Sequence, residues 1–264
     1  SLRGLIGLKM KVEVLKEGVH SGGASGHVPS SFRIARSLLS RLEDEKTGEI
    51  LIDELNTEIP GYRIKETKNL VSILNNEVDE EFPWKNNMKP STNDNVEGVL
   101  RRTWKPAVSI VGVDGMPSTA NAGNVLRPHT TLQLSMRIPP TASAKKAVHA
   151  MKKTLSENIP YDATVELQFE KAGEGWNAPE SKPWLLDAID KASKEYFGQM
   201  ACSMGEGGSI PFMGMLGKQF PQAQFVITGV LGPQSNAHGP NEFLHVPFAK
   251  RLTCCISSII ADYK

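Results

Sequence analysis

Several things are scarce or missing in this chain, and each absence removes a class of function. Of its 264 residues only three are cysteines, two of them adjacent at Cys254 and Cys255. That is no disulfide framework, and it suits a reducing compartment, the cytoplasm. No apolar run approaches the roughly 20 residues needed to span a bilayer, so a membrane is not expected as a partner. The net charge is only +1, and no long basic run concentrates it. The electrostatic footprint of a nucleic-acid binder is therefore absent. What is present, 39% hydrophobic and 22% charged residues, is the composition of a globular protein with room for one large domain or two ordinary ones.

Period-2 and period-3.6 patterns organise the chain. Leu8–Val14 alternates strictly and predicts a half-buried strand. Gly18–Gly26, with four glycines around His20 and Ser21, reads as a loop. Phe32, Ala35, Leu38, Leu39 and Leu42 then share one helical face. Residues 47–104 read as an insertion, with a strand signal at Ile50–Ile52, charged helical pieces, a solvated acidic pair at Glu80–Glu81 and a loop over Met88–Asn93. Strands are expected at Val108–Val113, Leu132–Ile138 and Val165–Phe169, with a helix carrying Ala144, Ala147, Val148, Met151 and Leu155 before the last of them. The order β-α-(insertion)-β-β-α-β is that of a ferredoxin-like, four-stranded antiparallel sheet with two helices on one face.

The pattern changes after Gly173-Glu174-Gly175, which places a boundary between domains 1–175 and 176–264. Pro183 opens a helix striped by Leu185, Ala188, Ile189, Ala192 and Tyr196. A continuous apolar strand is expected at Phe225–Ile227, and a last helix carries Ala249, Leu252, Ile256, Ile259 and Ile260. Helices alternating with a strand apolar on both faces indicate an α/β layer. It is too small to make a sheet alone and reads as the completing edge of a larger domain. The fold class is thus α/β overall: an α+β lid followed by an α/β segment.

Chemistry concentrates in a few places. In Gly205-Glu206-Gly207-Gly208-Ser209-Ile210-Pro211 the glycines let backbone N–H groups approach a ligand, and Ser209-Ile210-Pro211 can start a helix whose N-terminus attracts a carboxylate. His238, in Ala237-His238-Gly239-Pro240-Asn241-Glu242, lies in a setting that holds an imidazole out rather than packing it. Arg137 shares the polar face of its strand with Gln133 and Ser135, and its planar fork suits a substrate carboxylate. Asn124 precedes it by thirteen residues, and His20-Ser21-Gly22 follows the first strand. Taken singly, each has a plain reading: a locally bonded loop histidine, or a solvated arginine.

Together, in this order and spacing, these motifs resemble the C-terminal half of the di-zinc aminoacylase/carnosinase-type metallopeptidases, in the dipeptidase branch. The resemblance implies a substrate-carboxylate loop at Gly208 and Ser209, substrate contacts at Asn124 and Arg137, and a metal ligand at His238. It makes His20 the catalytic donor that reaches the partner subunit's site and stabilises the developing oxyanion, worth roughly 10²–10³ in rate. It further implies a homodimer through the lid, and two zinc ions, with manganese or cobalt as alternatives. The family's remaining ligands, among them a His-x-Asp, come from an N-terminal half. No His-x-Asp occurs here, Glu80–Glu81 lacks the family's glycine context, and Leu2-Arg3-Gly4-Leu5 resembles the segment just after the last of those ligands. The expectation is the lid and C-terminal catalytic segment of a metallopeptidase that hydrolyses dipeptides or similar small amides through zinc-activated water, inactive as an isolated chain. The alternatives are an N-acyl amino acid deacylase or desuccinylase on the same scaffold, and a non-catalytic oligomerisation module.

Overall fold

In chain order the elements begin with β1 (Gly4–Glu13), the two-residue strand β2 (Val19–His20), the single turn α1 (Ser21–Ala24) and α2 (Ser31–Leu39). Then come α3 (Gly61–Leu74), α4 (Glu77–Glu80), α5 (Asn95–Thr103), β3 (Ala107–Asp114), β4 (Val125–Leu126), β5 (His129–Ile138), α6 (Ala144–Ser156) and β6 (Thr164–Gly173). The last three are α7 (Pro183–Phe197), α8 (Pro211–Gln219) and α9 (Val246–Ala261). This computed structural model describes residues 1–75, 77–80 and 82–263. It divides into two compact units, Ser1–Asn177 with Met204–Met215, and Ala178–Ser203 with Leu216–Lys264.

The first unit is built on a four-stranded sheet in the order β3-β5-β1-β6, every neighbouring pair antiparallel. β1 and β5 bury every second residue, as a strand covered on one face must. Their inward rows, Ile6, Leu8, Met10 and Val12 with Leu132, Leu134, Met136 and Ile138, meet Ile34, Ala35 and Leu38 of α2 and Ala147, Met151 and Leu155 of α6 in one core. A buried hydroxyl pair, Ser31 Oγ to Thr130 Oγ1 at 2.9 Å, ties the start of α2 to β5. Both helices start at a serine cap, since Ser30 Oγ accepts the Arg33 N–H and Ser143 Oγ the Lys146 N–H. The opposite face of β5 carries Gln133, Ser135 and Arg137, all half-buried.

The insertion differs from its sequence pattern. Ile50–Ile52 forms no strand; Ile50 makes one isolated bridge to Glu43. Ile50 and Ile52 are instead buried plugs in the main core, which satisfies their hydrophobicity without a partner strand. The rest is α3, α4 and α5 around a small core of Leu70, Val78 and Val99. Glu80 is exposed at the end of α4, and Glu81 lies outside the described residues. The expected loop 18–26 folds in part into β2 and α1.

In the second unit α7 packs on α9 through Leu185, Ala188, Ala192, Cys255 and Ile259. Pro183 opens α7, and Gly198, at φ 76°, closes it in the left-handed conformation. Phe225–Ile227 is not a strand, and Val226 and Ile227 are 42% and 51% exposed. No strand exists among the described residues of this unit to pair its backbone groups, and an unpaired strand is not stable by itself. Among the described residues no helix is long and apolar enough to cross a membrane.

Candidate functional site

Arg137 sits near the end of β5, on the polar face, with Leu5 of β1 and Ala107 of β3 as its register neighbours. The glycine-rich segment is stapled beside it by the chain's first residues. Leu2 bridges both Trp176 and Glu206, and the Glu206 N–H donates to Ser1 O at 2.8 Å. Two residues chosen from different motifs therefore meet: Arg137 Nη1 donates to Ser209 Oγ at 3.3 Å. The Ser209 hydroxyl gives its one hydrogen to Arg3 O at 2.6 Å, so toward Arg137 it is an acceptor. The Gly208 N–H donates to Glu206 Oε1 at 3.1 Å, already engaged by a carboxylate of its own chain. Gly207 admits no side chain, because a Cβ there would stand 2.6 Å from Arg102 O.

Sequence reasoning missed Arg3. It is only 9% exposed, and its guanidinium spans two segments. Nε donates to Gly207 O at 3.3 Å, and Nη1 donates to Arg101 O at 3.1 Å and Lys105 O at 3.2 Å, at the carboxy end of α5. Burial first, and then the neighbouring Arg137 charge, pull the Arg3 guanidinium down to about 10, with Glu206 opposing the fall. It stays charged at neutral pH. Two guanidinium groups close together and partly withdrawn from water favour an anion beside them. The only signal in the sequence was an arginine just ahead of an alternating strand, which by itself says nothing of burial.

His20 and Asn124 lie elsewhere, on a small ribbon in which Val19 pairs with Leu126 and His20 with Val125. Asn124 O accepts the Ser21 N–H at 2.9 Å. Both residues are exposed, and the His20 ring lies over Gly22, where a Cβ would stand 2.8 Å from His20 Cε1. Asn124 thus belongs to the His20 ribbon, while Arg137 meets Ser209. From His129 to Arg137 β5 runs eight residue steps, or about 26 Å at 3.3 Å each. An extended dipeptide covers about 7 Å, so a single small ligand cannot touch both ends of that strand.

His238 belongs to the second unit, in a loop closed at its neck by the His245 N–H on Leu231 O at 2.7 Å and the Phe243 N–H on Ser235 O at 3.1 Å. Gln234, Asn236, His238 and Asn241 adopt φ of 59°, 52°, 62° and 59°, each costing on the order of 1 kcal/mol or more for a residue with a Cβ. Local bonds hold this shape: Glu242 Oε2 accepts the His238 N–H, and Asn236 Nδ2 donates to Pro240 O at 2.7 Å. A Cβ at Gly239 would press on the Asn236 amide and displace it. The loop thus spends conformational energy to present an exposed imidazole. Among the described residues no three His, Cys, Asp or Glu side chains gather to hold a metal. A zinc site needs three or four protein ligands, so these residues do not make one by themselves; His238 is a single available donor.

A family model described as a peptidase dimerisation domain matches residues 1–163. The chain belongs to the M20 peptidase dimerisation domain family. The match covers His20, Asn124 and Arg137 and stops just short of β6. The cysteinylglycine-S-conjugate dipeptidase of Corynebacterium striatum is 26% identical over 261 residues, 94% of this chain and 54% of that protein. The Cys-Gly metallodipeptidase DUG1 of Saccharomyces cerevisiae is 30% identical over 219 residues, 80% of this chain and 44% of that protein. The solved structure of the dipeptidase Dug1p from Saccharomyces cerevisiae superposes with a TM-score of 0.73 at 22% identity, over 99% of this chain and 55% of that one. The mixed α/β fold with its antiparallel sheet is therefore shared. The chain spans about half the length of the curated relatives it matches.

Proposed function

We propose that this chain forms the lid and the C-terminal catalytic segment of a metal-dependent exopeptidase acting on dipeptides, residues 1–175 being the lid with its insertion at 47–104, and 176–264 the segment. One observation carries the reading: Arg137 and Ser209, from separate motifs, are hydrogen-bonded at 3.3 Å beside a second, buried arginine. Such a corner suits the single carboxylate that ends a dipeptide, and the matched relatives are named as dipeptidases. Arg137 binds the carboxylate with the donors it does not give to Ser209. The Gly208 N–H adds a further donor once the substrate replaces Glu206.

His238 supplies one ligand to a divalent metal, zinc in this reading and manganese or cobalt as alternatives, the other ligands coming from the rest of the protein. His20 serves as oxyanion donor in a second copy of the chain, and Asn124, tied to the same ribbon, is delivered with it. A homodimer through the lid is supported by the edge strand β3, whose Ile110, Val111 and Val113 are 45%, 63% and 53% exposed. An unpaired apolar edge is a template for another strand. Three free cysteines support a reducing, cytoplasmic setting.

The test compares a dipeptide with its C-terminal carboxamide, in the full-length enzyme. Arg137→Ala should lower kcat/KM on the carboxylate substrate roughly 100-fold, the worth of lost charged hydrogen bonds, and barely change it on the carboxamide. Equal losses on both would refute the carboxylate assignment.

A further inference from the structure

We propose that Arg3 is a positioning residue for the carboxylate clamp, acting on both sides of the glycine-rich loop. This rests on the reading of Arg137 as the carboxylate ligand. The side chain ties Gly207 O to Arg101 O in the last turn of α5 and to Lys105 O just beyond it. Its main-chain oxygen takes the Ser209 hydrogen at 2.6 Å and leaves the hydroxyl lone pairs facing Arg137. Ser209 thereby orients Arg137 rather than donating to the substrate, and Arg3 sets the orientation of Ser209.

Three features single out this residue. A cation on helix-terminal carbonyls is favourable, so α5 holds Arg3 in place through its own dipole. The fork reaches two segments at once, which a lysine's single nitrogen cannot do at the same geometry. Gly207 admits no side chain on the side of α5, because Arg102 O stands 2.6 Å from where a Cβ would be. The carbonyl held by Arg3 and the hydroxyl that meets Arg137 are two residues apart, so freeing the first releases the second. The insertion, through α5, therefore becomes part of what shapes the substrate site.

Arg3→Lys keeps the charge and most of the buried stem, and Arg3→Met keeps the stem alone. Both are measured in the full-length metallated enzyme with a dipeptide and its carboxamide, alongside Arg137→Ala and Ser209→Ala. Positioning predicts that both Arg3 variants raise KM for the dipeptide about 10-fold, with kcat within about 2-fold and carboxamide hydrolysis unchanged. In a Ser209→Ala background the same substitutions should add nothing further, because the group they orient is gone. If Arg3→Lys folds and lowers both substrates equally, or neither, while Arg137→Ala still discriminates, the positioning role is overturned and the clamp stands. If Arg137→Ala fails to discriminate, the clamp reading falls and the role of Arg3 falls with it. Should Arg3→Met not fold, Arg3→Lys alone decides.

Discussion

Two variants that are each inactive should restore activity when mixed. The perturbations are His20→Ala in one full-length enzyme and Arg137→Ala in the other. Within a single chain Asn124 precedes the first residue of β5 and Arg137 lies near its last, and from His129 to Arg137 the strand runs about 26 Å for eight steps. A dipeptide does not span that strand, and the proposal is that a site using both groups draws them from two copies. His20→Ala alone should lower kcat by roughly 10²–10³. In a heterodimer one site has its own Arg137 and receives an intact His20, while the other has neither. Free exchange at equal amounts makes half the dimers mixed, so activity should return in about a quarter of all sites. Exchange is followed by native mass spectrometry of differently tagged subunits, and activity by dipeptide hydrolysis in the same samples. Asn124→Ala sharpens the test. If it travels with His20 it is rescued by Arg137→Ala and not by His20→Ala. Rescue by His20→Ala would place Asn124 with Arg137 after all, and no rescue of His20→Ala despite proven heterodimers would refute the exchange of residues altogether.

Two further outcomes are expected. Leu134, fully buried at the centre of the sheet opposite Leu8 and Ile110, should cost about 2–5 kcal/mol when replaced by alanine; urea unfolding showing less than about 1 kcal/mol would mean that β5 is not central to the core. Asp44 is held below the usual carboxylate range, first by the Thr47 N–H at 2.8 Å and also by the Lys46 N–H at 3.0 Å. Its contribution is therefore present above the unfolded value of about 4 and lost as pH falls through the lower folded one. Asp44→Asn should flatten the acid limb of a melting-temperature profile, and an unchanged limb would remove Asp44 from that account.

The sheet was legible because its signal is local. β1, β5 and β6 alternate residue by residue, and one covered face leaves that trace in any window of the chain. Phe225–Ile227 failed for the complementary reason: a short apolar run says only that three residues avoid water, and a strand also needs a partner. Ile50–Ile52 failed likewise, its side chains filling the core from an irregular segment. At the site, motif chemistry picked out Arg137 and Ser209, which meet, and also Asn124, which lies on the His20 ribbon. Thirteen residues look close in a sequence, but nine of them, His129–Arg137, are extended in β5. Arg3 had no legible signal, since its role depends on carbonyls supplied by residues about a hundred and two hundred positions away.

The same geometry underlies the proposal that the two groups of residues serve different copies. A strand is stiff and its length is set by residue count, so groups at its two ends keep a fixed separation whatever ligand is present. The polar face of β5 therefore acts as a spacer between its ends, with the arginine-lined corner proposed to bind an anion near one of them. Evolutionary or engineered change at the corner can proceed without disturbing the ribbon, and the reverse, because the core side of the strand is shared but the polar side is not. The coupling within the corner is of another kind. Arg3 joins the insertion helix α5, the first strand and the glycine-rich loop through one buried guanidinium, and a buried cation withdrawn from these carbonyls would be left unpaired at considerable cost. Changes in the insertion that move the end of α5 should thus be felt at Ser209, although no residue of that helix need touch a substrate.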